Sequence, residues 1–168
     1  GIKVKVDVGT ALYSPNVPYL QKGFDVILED NGRFKANGKS TSSLSFEYKP
    51  AIKVTRPIRG IVVEKSKISE VISLFGEKLG LNAQEIADTT RYAEENVSMP
   101  YAFISFFDHA TSQKILPLYF DPYPNEYRNI VFYIEGLSAP DGGSYELPLF
   151  EKIERKAFTA VEISFIVR

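Results

Sequence analysis

Ser66-Lys67-Ile68-Ser69-Glu70-Val71-Ile72-Ser73-Leu74-Phe75-Gly76-Glu77-Lys78-Leu79-Gly80-Leu81-Asn82-Ala83-Gln84-Glu85 is the stretch that decides the fold class. Ile68, Val71, Ile72, Phe75 and Leu79 recur at spacings of three and four, which puts them on one face of a helix. Ser66 is read as the cap of that helix. Gly80 fits the left-handed residue that ends one. Asn82, followed three residues later by Glu85, has the form of a capping box. A second helix then runs to about Glu95 and buries Ile86, Ala87, Thr90 and Ala93. Only a few residues link the two, so they are expected to form an αα-hairpin over about 67–96.

On both sides of this hairpin the period changes from 3.6 to 2. Ile2, Val4, Val6 and Val8 alternate with Lys3, Lys5 and Asp7, the pattern of a strand with one apolar and one solvated face. Further strands are expected at 24–28, 33–36, 44–48 and 60–64. Asp30-Asn31-Gly32 is expected as the tight turn of a hairpin, and 37–43 as a polar loop. Beyond Pro100, strands are expected at 101–107, at 115–120, at 130–134 and at 158–167. Pro117 assigns the second of these to a sheet edge, and the third reads as central. Strands flanking one helical hairpin argue for an α+β class, with a mostly antiparallel, sandwich-like sheet and a single domain over 1–168.

Composition narrows the chemistry. The 168 residues are 44% hydrophobic and 13% aromatic, enough to fill a core. Twenty Lys and Arg face 21 Asp and Glu, so no global charge draws the chain to nucleic acid. With no cysteine there are no disulfides and no thiolate metal sites or nucleophiles. No apolar run approaches the roughly 18 residues a membrane-spanning helix needs. The first residue is Gly rather than Met, which reads as a removed leader or as a domain cut from a longer chain.

His109 is the sole histidine, so multi-histidine metal sites are excluded. Asp108, His109 and Ser112 have the residue types of a hydrolytic relay. However, sequence neighbours rarely assemble one, and no Gly-x-Ser-x-Gly elbow is present. Glu29-Asp30 and Glu94-Glu95 read as a hairpin tip and a solvated helix end rather than as paired glycosidase carboxylates. The turns at 30–32 and 141–143 lack the spacing of an EF-hand, which leaves Ca²⁺ bridging between loops as the weaker reading. The expectation is a protein with no catalytic residues, no cofactor and no metal.

Asn96-Val97-Ser98 is a glycosylation sequon. Among the clustered tyrosines, Tyr119 and Tyr133 are expected in the core. Tyr123 and Tyr127, next to turns, are expected as an exposed pair able to stack on sugars or anchor an interface.

The order of motifs resembles an uncharacterised secreted domain family of bacteria. The matching pieces are Tyr13-Ser14-Pro15, Gly23-Phe24 with Asn31-Gly32, 44–48, Gly80-Leu81-Asn82 through Glu85, and Pro100 through Phe106. Asp121-Pro122-Tyr123-Pro124 and Ala157 through Glu162 complete the series. The family's Trp positions are Phe24, Phe46 and Ile163 here, as in a divergent member. The resemblance implies export and an extracellular or cell-surface setting, and it supplies no catalytic residues.

Two functions follow as expectations. The first is a non-enzymatic structural or adhesive surface protein that self-associates or binds another surface protein. It is read as a filament subunit that donates its opening strand, through Ile2, Val4, Val6 and Val8, to a neighbour. The alternative is an extracellular glycan- or peptide-binding module that uses Tyr123 and Tyr127.

Overall fold

The structure is a computed structural model that describes residues 3–9, 11–14, 16–17, 23–29 and 33–168, with Tyr13 described by its backbone alone. Ile2 and the turn at 30–32 lie outside the described residues. The chain forms two compact units, one of residues 1–54 and 112–125, the other of residues 55–111 and 126–168. The class is α+β with antiparallel pairing dominant, and each unit holds one main sheet.

In the first unit, β1 (Lys3–Val8), β3 (Phe24–Leu28), β4 (Phe34–Ala36), β5 (Lys39–Thr41) and β9 (Leu118–Asp121) form an antiparallel sheet of order β5-β4-β3-β1-β9. The period-two pattern of β1 is realised: Val4, Val6 and Val8 are buried, while Lys3, Lys5 and Asp7 are exposed. β9 lies at the sheet edge, as Pro117 predicts. The stretch at 37–43 is not simply a loop. Asn37 (φ 45°) and Gly38 (φ 85°) adopt the left-handed pair of a two-residue hairpin, which creates β5.

β2 (Ala11–Tyr13) pairs with β6 (Glu47–Tyr48), so only the end of the expected strand at 44–48 is a strand. The reason is local. Ser14 Oγ donates to the Ser45 carbonyl (2.7 Å) and Asn16 Nδ2 to that of Ser43 (2.8 Å), while Ser45 N–H donates to Asn16 Oδ1. Side chains have taken the backbone groups a ladder would need.

In the second unit, β7 (Ile61–Glu64), β8 (Tyr101–Phe106), β10 (Glu126–Leu137) and β11 (Thr159–Val167) form a sheet of order β11-β10-β8-β7. As expected, β10 is central. β11 runs parallel to it, the one departure from antiparallel pairing among the described strands. α1 (Ile68–Leu79) and α2 (Ala83–Asn96) cover one face. Ile68, Val71, Ile72, Phe75 and Leu79 pack with Ala102, Ile104, Phe106, Ile130, Phe132 and Ile134. Phe75 meets Phe106 and Phe150 edge-on, with ring centroids 5.7 and 5.2 Å apart. Each such fully buried side chain stabilises the fold by roughly 1.5–3 kcal/mol.

The helix termini follow the sequence only in part. Gly80 (φ 78°) closes α1 and the Asn82–Glu85 capping box opens α2. Ser66 is not the cap, because 65–67 form a 3-10 turn and Lys67 takes the cap position without a side-chain bond. In α2 the buried threonine is Thr89, whose Oγ1 donates to the Glu85 carbonyl, and Ala87 is exposed. A third helix, α3 (His109–Ile115), was not expected. Asp108 Oδ1 accepts the Thr111 N–H (2.7 Å) and caps it.

Candidate functional site

β1, read from the sequence as a strand offered to a neighbour, is paired within its own chain on both edges. Val4 lies opposite Val26 and Val6 opposite Phe24, while on the other side Val6 lies opposite Phe120 and Val8 opposite Leu118. β3 pairs with residues 3–6 and β9 with residues 5–8, and Val4, Val6 and Val8 fill the core, so this segment completes its own sheet rather than a neighbour's. Strand donation by this segment is corrected accordingly.

The tyrosines divide differently from the expectation. Tyr123 is 64% exposed, as expected. Tyr127 is only 6% exposed, because it lies on β10 with its ring edge-on against His109 (5.1 Å). Tyr133 is core, but Tyr119 is 60% exposed. Register explains Tyr119: it faces Asp7 across the ladder and so shares the solvent face with Lys5, Asp7 and Asp121. Phe120, opposite Val6, points to the other face, and Tyr123 packs edge-on against Phe120 (6.3 Å, 88°). The two exposed rings therefore flank β9, one on each side of the edge strand. Alternation along 118–121 could have identified Tyr119 had the apolar run not been read as core.

His109 is engaged structurally. Its Nδ1 accepts the Asn129 N–H (3.0 Å), which leaves the proton of the neutral ring on Nε2. Burial and the nearby Arg128 cation hold its pKa below the usual histidine value. A relay needs Nδ1–H directed at a carboxylate. Here Nδ1 is an acceptor, Asp108 is spent on the α3 cap, and Ser112 is fully buried. Arg128 bridges Glu126 (3.1 Å) and Glu151 (2.7 Å), and its hydrogen bond holds the Glu151 carboxyl below the usual range.

A second polar cluster ties the 141–145 turn to the sheet. Arg56 lies over the Phe103 ring at 4.1 Å and donates to Asp141 (2.6 Å), and Tyr145 OH donates to the same carboxylate oxygen (2.7 Å). Gly143 N–H donates to the other oxygen (3.0 Å). Tyr145, Arg56 and Gly143, in that order of effect, hold the Asp141 carboxyl down to about 2. The turn read as a weaker Ca²⁺ candidate thus has its carboxylate occupied by an arginine and a phenol. Among the described residues there is no group of three or more metal-ligating side chains. Arg56 carried no signal in the sequence, since its partners are about 50 to 90 residues away.

Asn96 is exposed at the end of α2, where its Nδ2 donates to the Tyr92 carbonyl (2.9 Å). Glu29 pairs with Lys35 (3.5 Å), while Glu94 and Glu95 are solvated. Ile58 (90% exposed) and Leu149 (76%) line a shallow cleft of about 260 Å³ in the second unit, with Phe106 and Phe107 among its walls. No described helix is long and apolar enough to cross a membrane. Compared with protein-family models, curated proteins and solved structures, the chain has no match.

Proposed function

We propose that this chain is a non-enzymatic, extracellular or cell-surface adhesive protein that works as a binding module for an extended peptide of a partner protein. The extracellular setting is supported by the motif order from Tyr13-Ser14-Pro15 to 157–162. The binding role is supported by one observation, the two exposed tyrosines that flank the edge strand β9. An extended peptide alternates its side chains between two faces, so rings on both sides of an edge suit it better than they suit a flat sugar. Pro117 and Pro122 bracket β9, which limits main-chain bonding to four residues and leaves most of the contact energy to the rings.

The test is selection of peptides from a displayed library on immobilised protein, with a glycan array run in parallel. The reading expects peptide ligands whose affinity falls about tenfold or more for each of Tyr119→Ala and Tyr123→Ala. Peptides indifferent to both substitutions, or glycan ligands alone, would overturn it.

A further inference from the structure

β8 ends at Phe106, while β10 begins at Glu126 and pairs with β8 only from Phe132 onward. The last main-chain bond between them runs from Phe107 N–H to the Val131 carbonyl (2.9 Å). In an antiparallel pair every second residue turns its backbone groups to the same neighbour, so Asn129 is the next on β10 to face that side. Continuing the register sets position 109 opposite Asn129, but the chain there has already turned into α3. The His109 side chain supplies what a longer strand would have supplied: its Nδ1 accepts the Asn129 N–H at 3.0 Å. Asn129 is fully buried, and a buried main-chain donor needs such an acceptor.

This bond sits at a neck in the chain. The second unit is left after Thr111 and re-entered at Glu126, so His109 and Asn129 join the exit to the return. A neutral imidazole can accept at Nδ1, whereas an imidazolium cannot, because both of its nitrogens then donate. The charged groups around the ring come from three elements: Asp108 at the start of α3, Glu126 and Arg128 on β10, and Glu151 on the segment between β10 and β11. Burial and the Arg128 cation oppose a charged ring, and the three carboxylates favour one. The first two prevail and hold the pKa below 6.5.

We propose that His109 is an acid-released latch on this neck: neutral, it holds the start of α3 to β10 through the Asn129 N–H, and protonated, it lets go and turns toward the carboxylates of Glu126 and Glu151. Protonation sets two N–H donors face to face across 3.0 Å, so the ring cannot keep its place. The latch is closed above about pH 6.5 and opens as pH falls through the lowered value of the folded chain. The neighbouring bond from Phe107 to Val131 joins two main-chain groups and does not titrate. The freedom gained is therefore local to the starts of α3 and β10. His109 is the sole histidine, the side-chain type whose ordinary pKa falls in this range. The latch is independent of the tyrosines that flank β9.

Residue-resolved amide exchange from pH 7.5 to 4, corrected for the intrinsic rate, tests the latch in the full chain and in His109→Asn. Asparagine Oδ1 stands close to where Nδ1 does, accepts the same bond and does not titrate. In the unaltered protein the protection of the Asn129 amide is expected to fall about tenfold relative to that of Phe107, with a midpoint below pH 6.5. In His109→Asn the ratio of the two stays constant. A constant ratio in the unaltered protein overturns the proposal, as does an equal fall in both proteins, which would assign the effect to the carboxylates. If His109→Asn does not fold, the ring-nitrogen shifts of His109 and the amide shift of Asn129 in the unaltered protein decide. One shared midpoint supports the latch, and separate midpoints, or a ring still neutral at pH 4, overturn it.

Discussion

Glu162 offers a sharp test of the fold's electrostatics. It lies on β11 opposite Asn129, on the sheet face away from α1 and α2, and has no hydrogen bond or ion pair among the described residues. Desolvation alone raises its carboxyl from 4.5 to about 8, although part of the residue's surface stays open. The folded chain therefore holds this proton to a higher pH than the unfolded chain does. Its stability is full below about pH 4.5 and falls as pH rises through about 8. At 1.36 kcal/mol per unit the span sets a ceiling of about 5 kcal/mol, and solvent access at the open surface reduces the expected loss to roughly 2 kcal/mol. Glu162→Gln keeps the shape without the charge. Denaturant unfolding of both proteins at low concentration, from pH 5 to 9, should show near-equal stability at pH 5 and a variant more stable by roughly 2 kcal/mol at pH 9. The depressed Asp141 changes stability only toward acid, and His109, with its lowered pKa, acts below about pH 6.5, so neither contributes above pH 7. Parallel profiles for the two proteins would refute the reasoning.

Two further substitutions probe local structure. Asn82→Ala removes the acceptor for the Glu85 N–H and half of the capping box, and should cost about 1 kcal/mol in denaturant unfolding. At Gly60→Ala the new Cβ falls 2.3 Å from Phe103 Cζ and 2.9 Å from the Ile104 carbonyl oxygen. Thermal unfolding should show a loss of about 1–3 kcal/mol, with the near-ultraviolet signal of the Phe103 and Tyr145 pair disturbed.

Where a residue's role depends on its near neighbours, the sequence was informative. The 3.6 period of 68–79, the capping box at Asn82 and the alternation of β1 all appear in the structure as read. Where the role depends on distant partners, it was not. Whether β1 is donated or kept depends on Phe24 and Phe120, which nothing within residues 2–8 reveals. Tyr119 and Tyr127 exchange roles because a ladder register, rather than proximity to a turn, decides which face a ring occupies. α3 was missed because a seven-residue helix spans too few turns for periodicity to show, although Asp108 was a usable cap signal. The 44–48 strand shrank because serine and asparagine side chains competed for its backbone.

The threading of the two units bears on how the protein can be dissected. Residues 55–111 interrupt the first unit, and residues 112–125 interrupt the second. No single cut in the gene yields either unit whole. A fragment ending at 54 lacks β9 and leaves one edge of β1 bare beside Val6 and Val8, while one starting at 55 carries β9 with no sheet to join. Producing either unit alone requires splicing across a gap, with a short linker replacing 112–125 in the second unit or 55–111 in the first. Without such a splice, misfolding of a simple truncation reports on an orphaned strand and says nothing about the residues that were removed.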